Sequence, residues 1–418
     1  MFLQRQPHRD KSAELPATFC RMRRASFITL AGSQLTAFVL PTISIILLKA
    51  TPFEAAALVG AEHGSSAISS FAFGRAADRV NLVRSMRIVA VTGAIGISVV
   101  PVSYAAGFLS LSCLLVAGLV VGISAAVFDV ASQTLVPSLT LPPDWPTANT
   151  RLQVNRSAAM LLGPAIGGIS LYFTNGPAVL GIDALSYLIC LALLMALPSQ
   201  LHGAGGSSER PESGAGRRAA VRCIMANPVL RTLLLTTVTM NVGGAILGGL
   251  YFSSAYRLVG ISPTRLGFAA AIGASLAVFV SRRTDRALLR FGPGLTFLTA
   301  SCLIGLSYWL IPLSTIAAPF VFLLVYEAGF STGASVYSIA QATLRQISTP
   351  MEIQGAVFGT LRGVSVASIP VGYVVGGLVG SRLGIANGLV LGALVGTLTI
   401  IFALSVRNYY PAPWRSLA

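Results

Sequence analysis

Two glutamates interrupt stretches of sequence that are otherwise apolar. Glu62 sits near the middle of the run 54–73 and is followed by His63; Glu327 sits near the middle of the run 316–339 and follows Tyr326. Desolvation favours the protonated form of a carboxyl, so an acid in such surroundings is suited to take up and release a proton. Both glutamates are therefore candidates for proton coupling. The alternative for each is a neutral, hydrogen-bonded acid that fixes packing. Asp129 and Arg156 fall at the ends of two neighbouring apolar runs and suit a structural ion pair or a gate. Asp183, inside another run, reads as a structural acid. Gln34, Thr36, Asn241, Tyr337 and Gln341 are candidates to line a cavity; interhelical hydrogen bonds are the competing reading. Five scattered cysteines and three separate histidines form no metal-ligand spacing. There is no phosphate-binding loop, dinucleotide fingerprint or catalytic triad spacing. Neither an enzyme nor a bound cofactor or metal is expected.

The elements that must position these residues are membrane-spanning helices. Of 418 residues, 54% are hydrophobic and only 10% charged, too little polar surface for a soluble chain of this size. Twelve apolar runs approach the roughly 20 residues that cross a bilayer: 26–48, 54–73, 86–106, 109–131, 150–173, 177–197, 229–252, 263–281, 293–313, 316–339, 354–381 and 384–406. The net charge of +16 would suggest nucleic acid on a soluble protein, but here the basic residues lie between the runs and act as topology signals. With twelve spans, 25 of the 29 Lys and Arg fall on the side of the termini; only Lys49, Arg257, Arg265 and Arg382 fall opposite. Both termini are thus expected in the cytoplasm. The strong preference for Arg over Lys points to a GC-rich bacterial genome, hence a bacterial inner membrane. The first run is too long, and its leading tail too long, for an ordinary signal peptide.

The chain divides into a tail (1–25), a six-helix half (26–198), a linker (199–228), a second six-helix half (229–406) and a tail (407–418). The linker is rich in Gly, Ser and charge and is expected to be flexible. Arg156 and Arg362, and likewise Pro164 and Pro370, are 206 residues apart; Asp78-Arg79 and Asp285-Arg286 are 207 apart. An even number of spans per half gives the halves the same orientation, a parallel repeat. Gly163, Pro164, Gly167 and Gly168, with Pro370, Gly376 and Gly377 in the second half, read as small-residue packing faces.

Several motifs carry a family resemblance. Gly74-Arg75-Ala76-Ala77-Asp78-Arg79, with Arg84, resembles the signature between spans 2 and 3 of the major facilitator superfamily, and Ser281–Arg290 resembles its weaker copy between spans 8 and 9. Gly163-Pro-Ala-Ile-Gly-Gly resembles the span-5 signature of drug–proton antiporters. Phe128-Asp129 through Gln133 to Pro137, then Ala148-Asn149, is similar to the macrolide and siderophore exporter branch. Gly118 stands where the span-4 antiporter signature has Arg, and Thr150 and Ala159 replace two upstream glycines, so the resemblance carries over no proton relay.

The resemblance implies an all-α integral membrane protein with a central cavity lined by spans 1, 4, 7 and 10. Spans 2, 5, 8 and 11 would lie between the halves. Asp78 and Arg79, with Asp285 and Arg286 repeating the pattern, read as a cytoplasmic latch in which the Asp docks at a helix N-terminus; a surface turn with topogenic Arg is the competing reading. The protein's partners would be a small-molecule substrate, protons and the lipid bilayer, but no nucleic acid. A monomer is expected, because each chain holds both halves. The implied function is a secondary transporter that exports an amphipathic small molecule (antibiotic, natural product or siderophore) by alternating access with proton antiport. Uptake of a nutrient or siderophore, or a non-transporting sensor or assembly partner, are the alternatives.

Overall fold

A computed structural model describes residues 15–77, 80–141, 144–174, 176–198, 214–281, 283–350 and 353–407. Its helices are α1 (Ala17–Ile46), α2 (Pro52–Ala76), α3 (Leu82–Ala105), α4 (Leu111–Thr134), the single turn α5 (Val136–Leu139), α6 (Trp145–Phe173), α7 (Gly176–Met195), α8 (Gly214–Ala226), α9 (Pro228–Ser253), α10 (Pro263–Ser281), α11 (Thr284–Ser314), α12 (Pro319–Ile347), α13 (Gln354–Arg382) and α14 (Ile385–Leu404). Each of the twelve expected spans coincides with one long helix. Ten are long and apolar enough to cross a membrane. The other two, α2 and α6, are made more polar by Glu62 and His63, and by Arg151, Asn155 and Arg156.

Local sequence sets the helix ends. Thr51 and Glu54 form a reciprocal capping box on α2, and Pro52 occupies its first turn. Asn81 caps α3, and Asn227 accepts from the backbone N–H groups of Val229 and Leu230 to start α9. Gly292 breaks α11 at φ 77°, a conformation open to glycine, so the short lead-in 284–291 turns before the span proper begins. α9 runs into a π-turn at Ser254–Leu258.

The linker differs from expectation. Its second part, α8, is a helix rather than flexible chain. Ala220 and Ile224, four residues apart, are buried on one face against α9 and α13, and that burial stabilises the helix.

Helix contacts repeat with a period of six spans. In the first half α1 packs on α6 and α7, α2 on α4, and α3 on α4 and α7. In the second half α9 packs on α13 and α14, α10 on α12, and α11 on α12 and α14. Between the halves α6 meets α10 and α13 meets α2, again a matching pair. The twelve spans therefore form two six-helix parallel-repeat halves.

The small residues serve both kinds of contact. Gly167 faces Phe38 and Val39 of α1, while Gly376 faces Ile246 of α9; these are contacts within a half. Gly163 faces Gln34 and Leu35 of α1 in the same way. Gly168 and Gly377 instead face the other half. A Cβ on Gly168 would stand 3.0 Å from the Pro263 carbonyl, and one on Gly377 3.0 Å from the Phe53 ring.

The halves touch at the end of the molecule far from the chain termini. There Thr42 and Tyr256 share a hydrogen bond of 2.8 Å, and the backbone N–H of Phe53 donates to Ser381 Oγ at 2.9 Å. Thr264 Oγ1 donates to the Gly168 carbonyl at 2.9 Å, and Arg257 donates to the Ala50 carbonyl. Toward the termini the same helices part. Gly64 of α2 and Gly355, Gly359 and Gly363 of α13 have no neighbouring atom within 4 Å of an added Cβ. Among the described residues the halves are thus bonded at the far end, while these glycines toward the terminal end face open space.

A pair of matched substitutions tests this asymmetry. A Cβ at Gly267 would lie 2.5 Å from the Pro164 carbonyl, whereas Gly363 faces open space. Gly267→Ala should destabilise the protein by about 1–3 kcal/mol through overpacking, and Gly363→Ala should leave it unchanged or gain up to about 1 kcal/mol of helix propensity. Thermal unfolding in detergent reads the difference; equal responses would refute the sealed-end geometry.

Candidate functional site

The two glutamates occupy corresponding helix crossings. Glu62 of α2 lies against Gly122 of α4, where an added Cβ would run into the Glu62 carbonyl and Ser65 Oγ. Glu327 of α12 lies against Gly273 of α10, where a Cβ would stand 2.5 Å from the Glu327 carbonyl. α2–α4 and α10–α12 are equivalent pairs in the repeat. The acid comes from opposite members of the pair: α2 in the first half and α12 in the second. Both acids remain partly accessible.

Their surroundings differ. Tyr251 of α9 donates its hydroxyl to Glu327 Oε1 at 2.6 Å. Among the described residues the Glu62 carboxyl has no hydrogen-bond partner. Rings gather around Glu327. Tyr251 lies 5.6 Å from Tyr326 and 5.5 Å from Phe252, and Tyr326 stacks on Phe330 at 5.7 Å. Across the halves, His63 of α2 stacks on Tyr373 of α13 at 5.5 Å, with the planes within 7°. His63 is exposed, and Tyr373 and Tyr251 are each only 8% exposed. The Phe252 ring also meets Phe38 of α1 edge-on at 5.7 Å. Rings and acids from α1, α2, α9, α12 and α13 thus meet near one another beneath the sealed end, and this region between the halves is the candidate chamber.

No Lys or Arg stands close by on the helices that carry the acids, although His63 follows Glu62 directly. The next ones are Arg75, 13 residues along α2, and Arg345, 18 residues along α12. At 1.5 Å per residue these are roughly 20 and 27 Å away along the axes. The two acid-bearing helices thus offer His63 and no nearby Lys or Arg.

The polar residues expected to line a cavity are mostly engaged elsewhere. Thr36 is completely buried and donates to Asp183 Oδ2 at 2.5 Å; it packs between α1 and α7 and does not line the cavity. Ser186 Oγ donates to the other oxygen of Asp183 at 2.9 Å. Tyr337 is 3% exposed, bonded to Thr236 and Thr237 of α9, so it too is withdrawn from the cavity. Gln341 donates to Thr237 Oγ1 at 2.6 Å and joins the same knot. Asn241 donates to the Ser365 carbonyl at 2.9 Å and ties α9 to α13. Gln34 occupies the matching place in the first half, 207 residues earlier, beside Gly163 at the α1–α6 crossing. A span polar group bonded to a neighbouring helix is satisfied without water, which explains these placements.

Asp129 and Arg156 form an ion pair linking α4 to α6. In the second half, among the described residues, Arg362 forms no ion pair; it lies 6.0 Å from the Phe358 ring, with Arg345 at 4.3 Å from the same ring. Of the latch candidates, Asp78 and Arg79 lie outside the described residues. Asp285 is in the first turn of α11, its side chain also outside them, and Arg286 is exposed. Pro370 lies inside α13. Sequence reasoning missed Tyr251, Phe330 and Tyr373. The available signal was weak: Tyr326 and Phe330, four residues apart, flank Glu327 on one helix face.

Comparison with known proteins agrees with this architecture. A family model described as Major Facilitator Superfamily matches residues 25–361. YvqJ of Bacillus subtilis (strain 168), described as an uncharacterized MFS-type transporter, is 25% identical over 289 residues; the match spans 67% of this chain and 66% of that protein, just under two thirds of its length. The crystal structure of a nucleoside transporter, NupG, superposes with a TM-score of 0.72 at 12% identity, covering 93% of this chain and 98% of that one. A bacterial homologue of the human lysosomal transporter Spinster, in an inward-facing, unoccupied conformation, superposes with a TM-score of 0.69 at 15% identity, covering 94% and 97%. At these identities the likeness to solved structures establishes the fold alone.

The buried network behind the chamber has a measurable share in stability. Thr36→Val removes one of the two donors to the fully buried Asp183 while keeping the side-chain shape. It should lower stability by about 1–3 kcal/mol, the cost of an unsatisfied buried acceptor. A thermal midpoint equal to wild type in detergent would show that Asp183 does not depend on Thr36.

Proposed function

The chain belongs to the Major Facilitator Superfamily and is a multi-pass membrane transporter; from that premise we propose that it exports an amphipathic small molecule by alternating access in exchange for protons. In this reading it acts as a monomer in a bacterial cytoplasmic membrane, with both termini in the cytoplasm. The open end then faces the cytoplasm, and the chamber loads from inside. The observation that carries the reading is the pairing of Glu62 and Glu327 with a chamber sealed at one end and open at the other. A carboxyl that meets water in one state and loses it in the other is a natural proton carrier.

The cycle follows from that geometry. Substrate enters from the open end and settles beside Glu327 and its rings. The terminal ends then close, with the Asp78–Arg79 and Asp285–Arg286 motifs assigned to hold the closed state. The Thr42–Tyr256, Arg257–Ala50, Phe53–Ser381 and Thr264–Gly168 bonds must break to open the far end. Protons entering there neutralise the acids as substrate leaves, and the neutral carrier returns. One proton crossing roughly 100 mV releases about 2.3 kcal/mol. At about 1.4 kcal/mol per tenfold, that sustains a gradient of roughly 45-fold for an uncharged substrate.

Flux in inside-out vesicles tests this, using a panel of hydrophobic antibiotics and siderophores. Accumulation should collapse on adding a protonophore and fall to background in Glu327→Gln. Accumulation that survives both treatments would defeat proton antiport. Movement found only in right-side-out vesicles would defeat export and leave uptake in its place.

A further inference from the structure

We propose that Arg345 and Arg362, gathered on the ring of Phe358 at the terminal end of the second half, form with Arg156 a binding site for a phosphoryl group. Its source is either a soluble phosphate or the headgroup of an acidic phospholipid. The site stands apart from the acids of the transport reading: Arg345 is 18 residues along α12 from Glu327, roughly 27 Å by the helix rise.

Like charges converge here. Arg345 of α12 lies 4.3 Å from the centre of the Phe358 ring, and Arg362 of α13 lies 6.0 Å from it. The two guanidiniums are therefore no more than about 10 Å apart, close to one Debye length at 0.1 M salt, so their repulsion is only partly screened. Other arginines sit singly on rings, Arg283 on Phe279 at 4.1 Å and Arg290 on Phe291 at 5.3 Å. Among the described residues Phe358 is the one ring that carries two. Arg156 of the first half adds a third charge, near enough to Arg362 for the two to repel. Topology signals account for arginines at this end of the spans, but not for their convergence on one ring.

The second half supplies no counter-charge. In the first half Arg156 pairs with Asp129. Ser335 stands 206 residues after Asp129, and there is no Asp or Glu in 328–350 or in 353–407. Among the described residues the guanidiniums of Arg345 and Arg362 meet the Phe358 ring but no acid and no hydrogen-bond acceptor. Glu352, between α12 and α13, lies outside the described residues and is the acid to test.

The arginines are accessible. Arg362 is exposed, Arg345 is partly so, and Phe358 is 39% exposed. On the same stretch of α13, Gly355, Gly359 and Gly363 face open space, which leaves room for a ligand beside them. A guanidinium packed on a ring keeps its N–H edge free, and that edge matches two phosphoryl oxygens at once. Two such forks and a third arginine suit a doubly charged tetrahedral anion. An anion placed among them offsets the repulsion between Arg156 and Arg362.

The purified full chain in detergent is titrated with inorganic phosphate at constant ionic strength, chloride being the balancing anion. A second titration compares short-chain phosphatidic acid with the matching diacylglycerol. Calorimetry and the thermal midpoint read binding. At least one phosphoryl probe should bind saturably, and chloride and diacylglycerol should not. Binding of inorganic phosphate supports the site with a soluble source; binding of phosphatidic acid alone supports it with a lipid source. Arg345→Gln and Arg362→Gln should each weaken binding roughly tenfold, the size of one hydrogen bond to a charged group. Arg362→Lys keeps the charge but loses the fork, and should recover part of the affinity. Arg290→Gln removes a lone arginine from its ring and should leave binding unchanged, which separates this site from a general loss of positive charge. The absence of saturable binding by either probe would overturn the proposal. So would wild-type affinity in the variant carrying both Arg345→Gln and Arg362→Gln. Binding that emerges only in Glu352→Gln would overturn it as well, by showing that the chain's own carboxylate fills the place. Failure of proton-driven flux in vesicles would leave this site standing, since its binding needs no gradient.

Discussion

The arrangement depends on how closely two helices can approach where there is no side chain to keep them apart. At Gly122 and Gly273 the neighbouring backbone occupies the volume that a methyl group would need. Without water to drive apolar surfaces together, such approach supplies much of the contact energy between membrane helices. It also decides where a polar side chain can go. Glu62 and Glu327 stand at these two crossings. The rings that line that space are placed by similar contacts. Tyr373 rests on Gly60 and Gly249, with its Cβ 3.0 Å from the site of a Gly60 methyl and its ring 3.2 Å from that of Gly249. A bulkier residue at either place would shift an entire helix rather than one side chain.

The repeat copies the scaffold but not the chemistry. Gln34 and Asn241, 207 residues apart, stand on α1 and α9 against the partner helices α6 and α13. The arginines at 156 and 362 have diverged further. One is paired with Asp129 and the other lies over Phe358. The acids have exchanged helices between the halves. The two halves thus share one set of helix contacts while presenting different groups to whatever lies between them.

Much of the fold was legible because the bilayer imposes a simple rule. A span must be apolar for about 20 residues, and basic residues gather on one side. Both signals survive in composition alone, and the 206- and 207-residue spacings disclose the duplication. The chamber was less legible. A polar residue within a span looks the same in sequence whether it faces a cavity or a neighbouring helix. Thr36, Tyr337 and Asn241 all found helix partners. Only the three-dimensional crossing says that Thr36 meets Asp183, 147 residues away. The rings were hidden for a similar reason: Tyr251, Tyr326 and Tyr373 come from three separate helices. The helix α8 was obscured because Gly and Ser earlier in the linker outweighed the apolar pair Ala220 and Ile224.

The seal at the far end relies heavily on main-chain atoms. The Ala50 and Gly168 carbonyls accept from Arg257 and Thr264, and the Phe53 N–H donates to Ser381. A substitution at residue 50 or 53 leaves the bonding atom in place, because every amino acid except proline presents the same backbone groups. Half of each of these three bonds is thus insulated from mutation. The lining of the chamber has no such insulation, since its acids and rings act entirely through side chains. Evolutionary drift can therefore rewrite the groups between the halves while the bonds that join their far ends persist, and a lineage can change the chemistry of its interior without first having to rebuild the seal.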